Sequence, residues 1–198
     1  MNFLSNYPQK FTEFIGKTPK KIVNLMRKKE QKQAVSVEID RLTNSIIEIV
    51  SGKVCETEFA EVSPTEINRE DWLFDWKLEI KGKGNAVFKM TTIDHKNIIQ
   101  GLVSLTTRNG FVFVNLVENA KFNKGREKRF EGVGGNLFAF ACKHSNDLGF
   151  GGCISFISKS SLIEYYCNAL GAISLKGQRM VIMENEAQIL INRYFKNC

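Results

Sequence analysis

Two β-rich runs, Ile98 to Thr107 and Phe111 to Val117, are separated by Arg108-Asn109-Gly110. Asn-Gly accepts the left-handed backbone of a tight hairpin turn, so the two runs are expected to be antiparallel neighbours. The second, FVFVNLV, is almost wholly apolar, as in a central strand covered on both faces. Such a sheet needs further strands and two covering layers. At 198 residues and 43% hydrophobic, the chain supplies one buried domain and an appendage.

The exit of that central strand, ENAKFNKGREKRFEGVGGN, is a polar, glycine-bearing loop leading to an amphipathic run from about Gly135 to Leu148. Leu137, Phe138, Ala141, Cys142 and Leu148 give this run a helical stripe. The strand GGCISFIS follows, and two strands joined through such a helix are expected to be parallel, by a right-handed crossover. Ser161-Leu-Ile-Glu164 has the pattern of a capping box opening the next helix, which should stop at Gly171 in a left-handed cap. Ile173 to Lys176 and Arg179 to Met183 form a hairpin around Gly177-Gln178, and a last helix runs through Ala187, Leu190, Ile191 and Tyr194.

Upstream, Ala34 to Asp40 alternates like a strand, and Leu42, Ile46, Ile47 and Val50 mark a helix ending near Gly52. Val54 to Val62 is a further strand. Trp72 and Trp76, four residues apart, are expected to pack in the core, with a substrate-side wall as the alternative.

Charge divides the chain. Residues 1–33 carry eight Lys or Arg against Glu13 and Glu30, a net +6, while residues 34–198 carry 20 basic and 19 acidic groups, a net +1. The division is therefore a basic N-terminal extension, 1–33, and a globular domain, 34–198. In the extension Thr18-Pro19 could open a helix with Ile22, Val23, Leu25 and Met26 on one face. Such a helix would touch nucleic acid, an acidic protein or a membrane surface, or pack on its own domain. No apolar run approaches the roughly 18 residues of a membrane span, and no secretory signal opens the chain, so a cytoplasmic location is expected. Five cysteines without CxxC spacing read as reduced thiols, and His95 and His144 are too few for a histidine metal site.

Gly132, Gly134 and Gly135 lie where the helix after the central strand begins. The first N–H groups of a helix have no intrahelical partner, and glycines let a bulky anion reach them. The helix start adds a partial positive charge, so the expectation is a pyrophosphate cradle. A P-loop is excluded because no lysine follows the glycines, and the dinucleotide fingerprint is excluded by Leu137. Arg129 to Gly134 reads RxxGxG.

With its hairpin, apolar strand, glycine loop, helix, parallel strand and a tyrosine-bearing helix before Leu170-Gly171-Ala172, residues 35–198 resemble the GNAT superfamily of acyl-coenzyme-A-dependent N-acyltransferases. The resemblance implies an α/β (α+β) fold: a mixed, mostly antiparallel central sheet with helices on both faces and one splayed parallel strand pair. It implies acetyl transfer from acetyl-coenzyme A to a primary amine of a small molecule or protein, by direct attack in a ternary complex, without a metal. Coenzyme A would meet Val117, Asn119, Arg129, Gly132, Val133, Gly134, Gly135 and Asn136. Glu118 would be the general base and Tyr166 the acid at the departing sulfur. Three departures stand out: a long loop before Arg129, Lys159 or Ser160 where relatives carry asparagine, and Tyr166 one residue further from Gly171 than usual. Dimers are common among relatives. The alternative is a GNAT-shaped, non-catalytic module that docks its basic arm on nucleic acid or protein. Asp71, Asp75 and Glu79 are either solvated charges or an attraction for a cationic amine.

Overall fold

The computed structural model describes Val35 and residues 45–195. The basic extension, its expected helix and most of the Ala34 to Asp40 strand lie outside the described residues.

The hairpin forms as its turn chemistry requires. Strands β5 (Gly101–Arg108) and β6 (Phe111–Asn119) pair antiparallel from Arg108↔Phe111 to Gly101↔Asn119, and Gly110 takes φ 86° in the turn. Upstream lie β3 (Thr57–Glu61), the short helix α1 (Trp76–Ile80) and β4 (Ala86–Thr92). From residue 45 on, the first strands are β1 (Ile46–Glu48) and β2 (Val54–Cys55), an antiparallel pair. After β6 come β7 (Phe130–Glu131), α2 (Val133–Asp147), β8 (Ile154–Ile157), α3 (Ile163–Leu170), β9 (Ile173–Lys176), β10 (Arg179–Ile182) and α4 (Glu184–Phe195). Seven strands make one sheet in the order β3-β4-β5-β6-β8-β10-β9. Among the strands of the described residues only β6 and β8 pair in parallel, joined through α2 as the crossover argument expects. The mixed, mostly antiparallel sheet with one parallel pair is thus the observed fold.

One face of the sheet packs Val103, Leu105, Val112, Val114 and Phe156 against Leu137 and Phe138 of α2, Tyr166 of α3 and Leu190 of α4. The other face packs Leu102 and Leu116 against Trp72 and Trp76, whose rings meet edge to face at 6.3 Å. Trp76 is fully buried, so the two tryptophans are core, as expected.

Two sequence expectations are corrected. Residues 46–48 are a strand, not part of a helix from Leu42 to Val50; the run Ile-Ile-Glu-Ile-Val is dominated by β-branched side chains, which lose rotamer freedom in a helix and fit a pleated surface. Ser161 and Glu164 make no capping box. A 3-10 turn, Ser160–Leu162, leads into α3, whose N-cap is Leu162 without a side-chain cap. Gly171 does close α3 in the left-handed conformation, at φ 64°. Strand β4 went unread because Lys89 interrupts its apolar pattern.

His144 offers a test of how tightly α2 is seated. Its ring lies 5.3 Å from Phe88 and 6.1 Å from Phe140, and burial holds its pKa below the ordinary histidine value against the opposing pull of Asp147 and Glu61. The unfolded chain therefore binds the proton first on acidification. The stability that neutral His144 contributes is complete above its unfolded value, about 6.5, and is lost as the pH falls through that value toward the depressed one. The urea midpoint of the wild type should fall more between about pH 7.5 and pH 5 than that of His144→Gln. Equal falls would remove His144 from the account.

Candidate active site

The parallel pair opens into a wedge. Strands β6 and β8 are in register only at Val112↔Ile154, Phe113↔Ser155 and Val114↔Phe156, yet β6 runs on to Asn119. The cause is a bulge: the β5 partners step from Val114 to Leu116 and leave Asn115 as the extra residue, which bends β6 away from β8. Beyond the bulge, Val117 faces α2 in the larger core, while Leu116 faces the tryptophan cluster. Among the described residues, the buried Oδ1 of Asn119, at the end of β6, has no hydrogen-bond partner. Gly101, opposite Asn119, makes room for α2: a Cβ there would stand 2.8 Å from Leu137 Cδ1 and 3.3 Å from Val133 Cγ1.

The glycine loop forms the expected helix start. Gly132 is the N-cap of α2 at φ 83°, with no side-chain cap, so the first-turn N–H groups point out of the helix end. The loop does not lie open at the surface, however. Residues 132–136 are all buried. Strand β1 pairs with β7, just before the helix, through Ile47↔Glu131 and Glu48↔Phe130, and Ile49 N–H donates to the Arg129 carbonyl at 2.9 Å. Asn136 is interior and not at a rim: it is fully buried, its Nδ2 donates to Thr57 Oγ1 at 2.8 Å, and its Oδ1 finds no donor among the described residues. Arg129 turns its guanidinium to Glu48 at 3.3 Å and over the Phe130 ring at 5.5 Å, where it holds β1 down.

The two catalytic candidates are not brought together. Tyr166 is fully buried on the α2 side, 5.7 Å from Phe138 and 5.3 Å from Phe156, whose strand partner Val114 is the last paired residue before the wedge. Glu118 points to the opposite face. Its Oε1 accepts from Leu73 N–H and Lys124 Nζ at 2.8 and 2.7 Å, and its Oε2 from Phe74 N–H and Trp76 Nε1–H at 3.3 and 2.8 Å. A carboxylate offers about four lone-pair sites. Four donors fill them, leaving none for a substrate proton, so this geometry gives Glu118 a holding role for the 73–76 loop in place of the base.

Two features of the tryptophan face were not read from sequence. Glu79 Oε1 accepts from Ser104 at 2.6 Å and Asn85 at 2.9 Å, and Asn115 Nδ2 reaches Ser104 and Thr106 at 3.0 and 2.8 Å, a polar network under the bulge. The signal was Asn115 within FVFVNLV, a polar residue in an otherwise apolar strand. A cleft of about 290 Å³ lies at the end of β6, lined by Glu66, Asp71, Trp72, Ile98 and Phe122 among others.

No family model and no curated protein matches the chain. Solved structures do. A spermidine N-acetyltransferase chimera from Vibrio cholerae and hSSAT matches at 12% identity and a TM-score of 0.45, over 68% of this chain and 99% of that one. The Vibrio cholerae spermidine N-acetyltransferase in complex with CoA and spermine matches at 13% identity and 0.44, over 67% and 98%. A GNAT-family acetyltransferase from Staphylococcus aureus matches at 12% and 0.42, over 63% and 97%. Likeness at this level transfers no residue's role, so the roles of this chain's residues stand on its own contacts. Among the described residues no helix is long and apolar enough to cross a membrane.

Proposed function

We propose that the chain is an acyl-coenzyme-A-dependent N-acyltransferase, using acetyl-coenzyme A to acetylate a primary amine. The observation that carries this is the wedge itself. The register of β6 with β8 ends at Val114, and β6 runs on to Asn119, whose buried Oδ1 has no hydrogen-bond partner among the described residues, next to a glycine-built helix start. A strand edge of this kind hydrogen-bonds an extended, amide-bearing chain, and a helix start attracts phosphate. Pantetheine joined to a diphosphate has both features, and its amide N–H groups match the unmet oxygen of Asn119.

When bound, acyl-coenzyme A supplies an activated acyl group on a thioester. In this reading the protein's own part follows from where its residues stand. Val133, Gly134 and Gly135 N–H groups would hold the diphosphate, with Gly132 turning the backbone into the helix. Val117 and Asn119 would align the pantetheine. Tyr166 Oη, beside the mouth of the wedge, would carry the proton for the departing sulfur. The acceptor amine would enter on the tryptophan face, where the Glu79 network and the cleft beside Asp71 offer carboxylates to a cation.

Native mass spectrometry of the full chain with acetyl-coenzyme A should show a one-to-one complex, and a panel of primary amines, polyamines included, should release free thiol. No complex at millimolar acetyl-coenzyme A would overturn the proposal.

A further inference from the structure

Of the four donors on Glu118, three are fixed and one is on a stalk. The Leu73 and Phe74 N–H groups belong to the main chain, and the Trp76 indole is fully buried in the tryptophan cluster. The fourth is Lys124 Nζ, 2.7 Å from Oε1, on a side chain one third exposed. Asn123, just before it, is anchored: its amide donates to the Gln100 carbonyl at 3.1 Å and its Oδ1 accepts from Phe130 N–H at 3.3 Å. Gly125, just after it, takes φ 75° at the surface, with nothing within 4 Å of a Cβ placed there. Lys124 thus reaches in from solvent to a buried carboxylate, and Glu118 is the one partner of its ammonium among the described residues. A lysine carries a compact ammonium on a flexible four-carbon stem, and holding that stem in one place costs side-chain entropy. The seat itself is built from groups that Lys124 does not supply.

We propose that Glu118, with the donors that orient it, forms a binding site for a primary ammonium, which Lys124 occupies from within the chain and which the ammonium of an amine ligand takes by displacing it. The carboxylate is 2% exposed, so a cation there is paired or the charge is left buried alone. One N–H donor replaces another, so the count of four on the carboxylate is kept and Glu118 takes no proton: it holds the ligand as a cation. A quaternary ammonium, with no N–H for Oε1, does not satisfy the site. The function of the exchange rests on the acyltransferase reading above, which brings the acceptor amine in on this face; Glu118 would capture that amine in its protonated form, before the proton is lost elsewhere.

Alanine at position 124 keeps Cβ, and the atoms it removes are those of propylammonium. Lys124→Ala should melt roughly 5 °C below the wild type, because a buried carboxylate has lost its cation. About 100 mM propylammonium chloride should restore about half of that difference or more, and leave the melting point of the wild type, whose site is filled, within about 1 °C. Tetramethylammonium chloride at the same concentration should restore none of it. Should Lys124→Ala fail to fold alone, its refolding from urea in the two salts makes the same comparison. Equal recovery in both salts, or none in either, would overturn the site. In turnover with acetyl-coenzyme A and a panel of primary amines, an acceptor that must displace Lys124 should show a KM about tenfold lower for Lys124→Ala than for the wild type. An unchanged KM beside a selective recovery would overturn the displacement by the acceptor. If the wild type neither binds nor uses acetyl-coenzyme A, the acyltransferase reading falls, and the comparison of the two salts still decides the ammonium site.

Discussion

Replacing Glu118 by alanine should lower the unfolding free energy by about 3–5 kcal/mol, the range for breaking a buried ion pair from one side. The carboxylate is 2% exposed and holds four donors from three places: the 73–74 backbone, the Trp76 indole and the Lys124 ammonium. Truncation leaves the indole N–H and two main-chain N–H groups facing a small cavity, and Lys124, one third exposed, without its partner. Glu118→Gln keeps an oxygen for part of the set and should cost less than the alanine variant. Urea unfolding monitored by tryptophan fluorescence measures both. A loss below about 1 kcal/mol for Glu118→Ala would mean that the four contacts do not act as a unit. The same experiment bears on catalysis: if Glu118 works by holding the 73–76 loop, Glu118→Gln should retain far more activity than removal of a general base allows.

The difference between what was legible and what was not follows from sequence distance. The turn at Asn109-Gly110, the helix start at Gly132 and the left-handed cap at Gly171 are local, because glycine chemistry and short-range periodicity set them. They fixed the β5–β6 hairpin, the crossover and hence the parallel pair. The partners that decide the site are remote. Glu118 takes donors from positions 42 to 45 residues away, Asn136 bonds Thr57 across 79, and Arg129 meets Glu48 across 81. Nothing within RxxGxG says that another strand will pair with it. The misread helix at 42–50 has the same root. A spacing of Ile46, Ile47 and Val50 suits a helix face, but β-branched residues with an edge to pair against become a strand, and that edge, Phe130–Glu131, is supplied from far down the chain.

Tyr166→Phe should lower kcat by about 100-fold to 10,000-fold with the Kd for acetyl-coenzyme A unchanged, the signature of a lost proton donor. The ring is clamped between Phe138 of α2 and Phe156 of β8, and Phe156 is paired with Val114, after which β6 bends away. The hydroxyl is thus carried by a side chain fixed at the mouth of the wedge, on the face that Val117 shares. Phenylalanine keeps those ring contacts, so the cost to folding should stay near the value of one hydrogen bond, about 1 kcal/mol. A merely structural tyrosine would lose stability and kcat in proportion, or neither. The pH profile separates these cases further: with the donor gone, release of the sulfur must depend on solvent protons, and the remaining rate should fall as the pH rises. A kcat within tenfold of wild type and an unaltered profile would remove Tyr166 from the chemistry and leave it as a core aromatic.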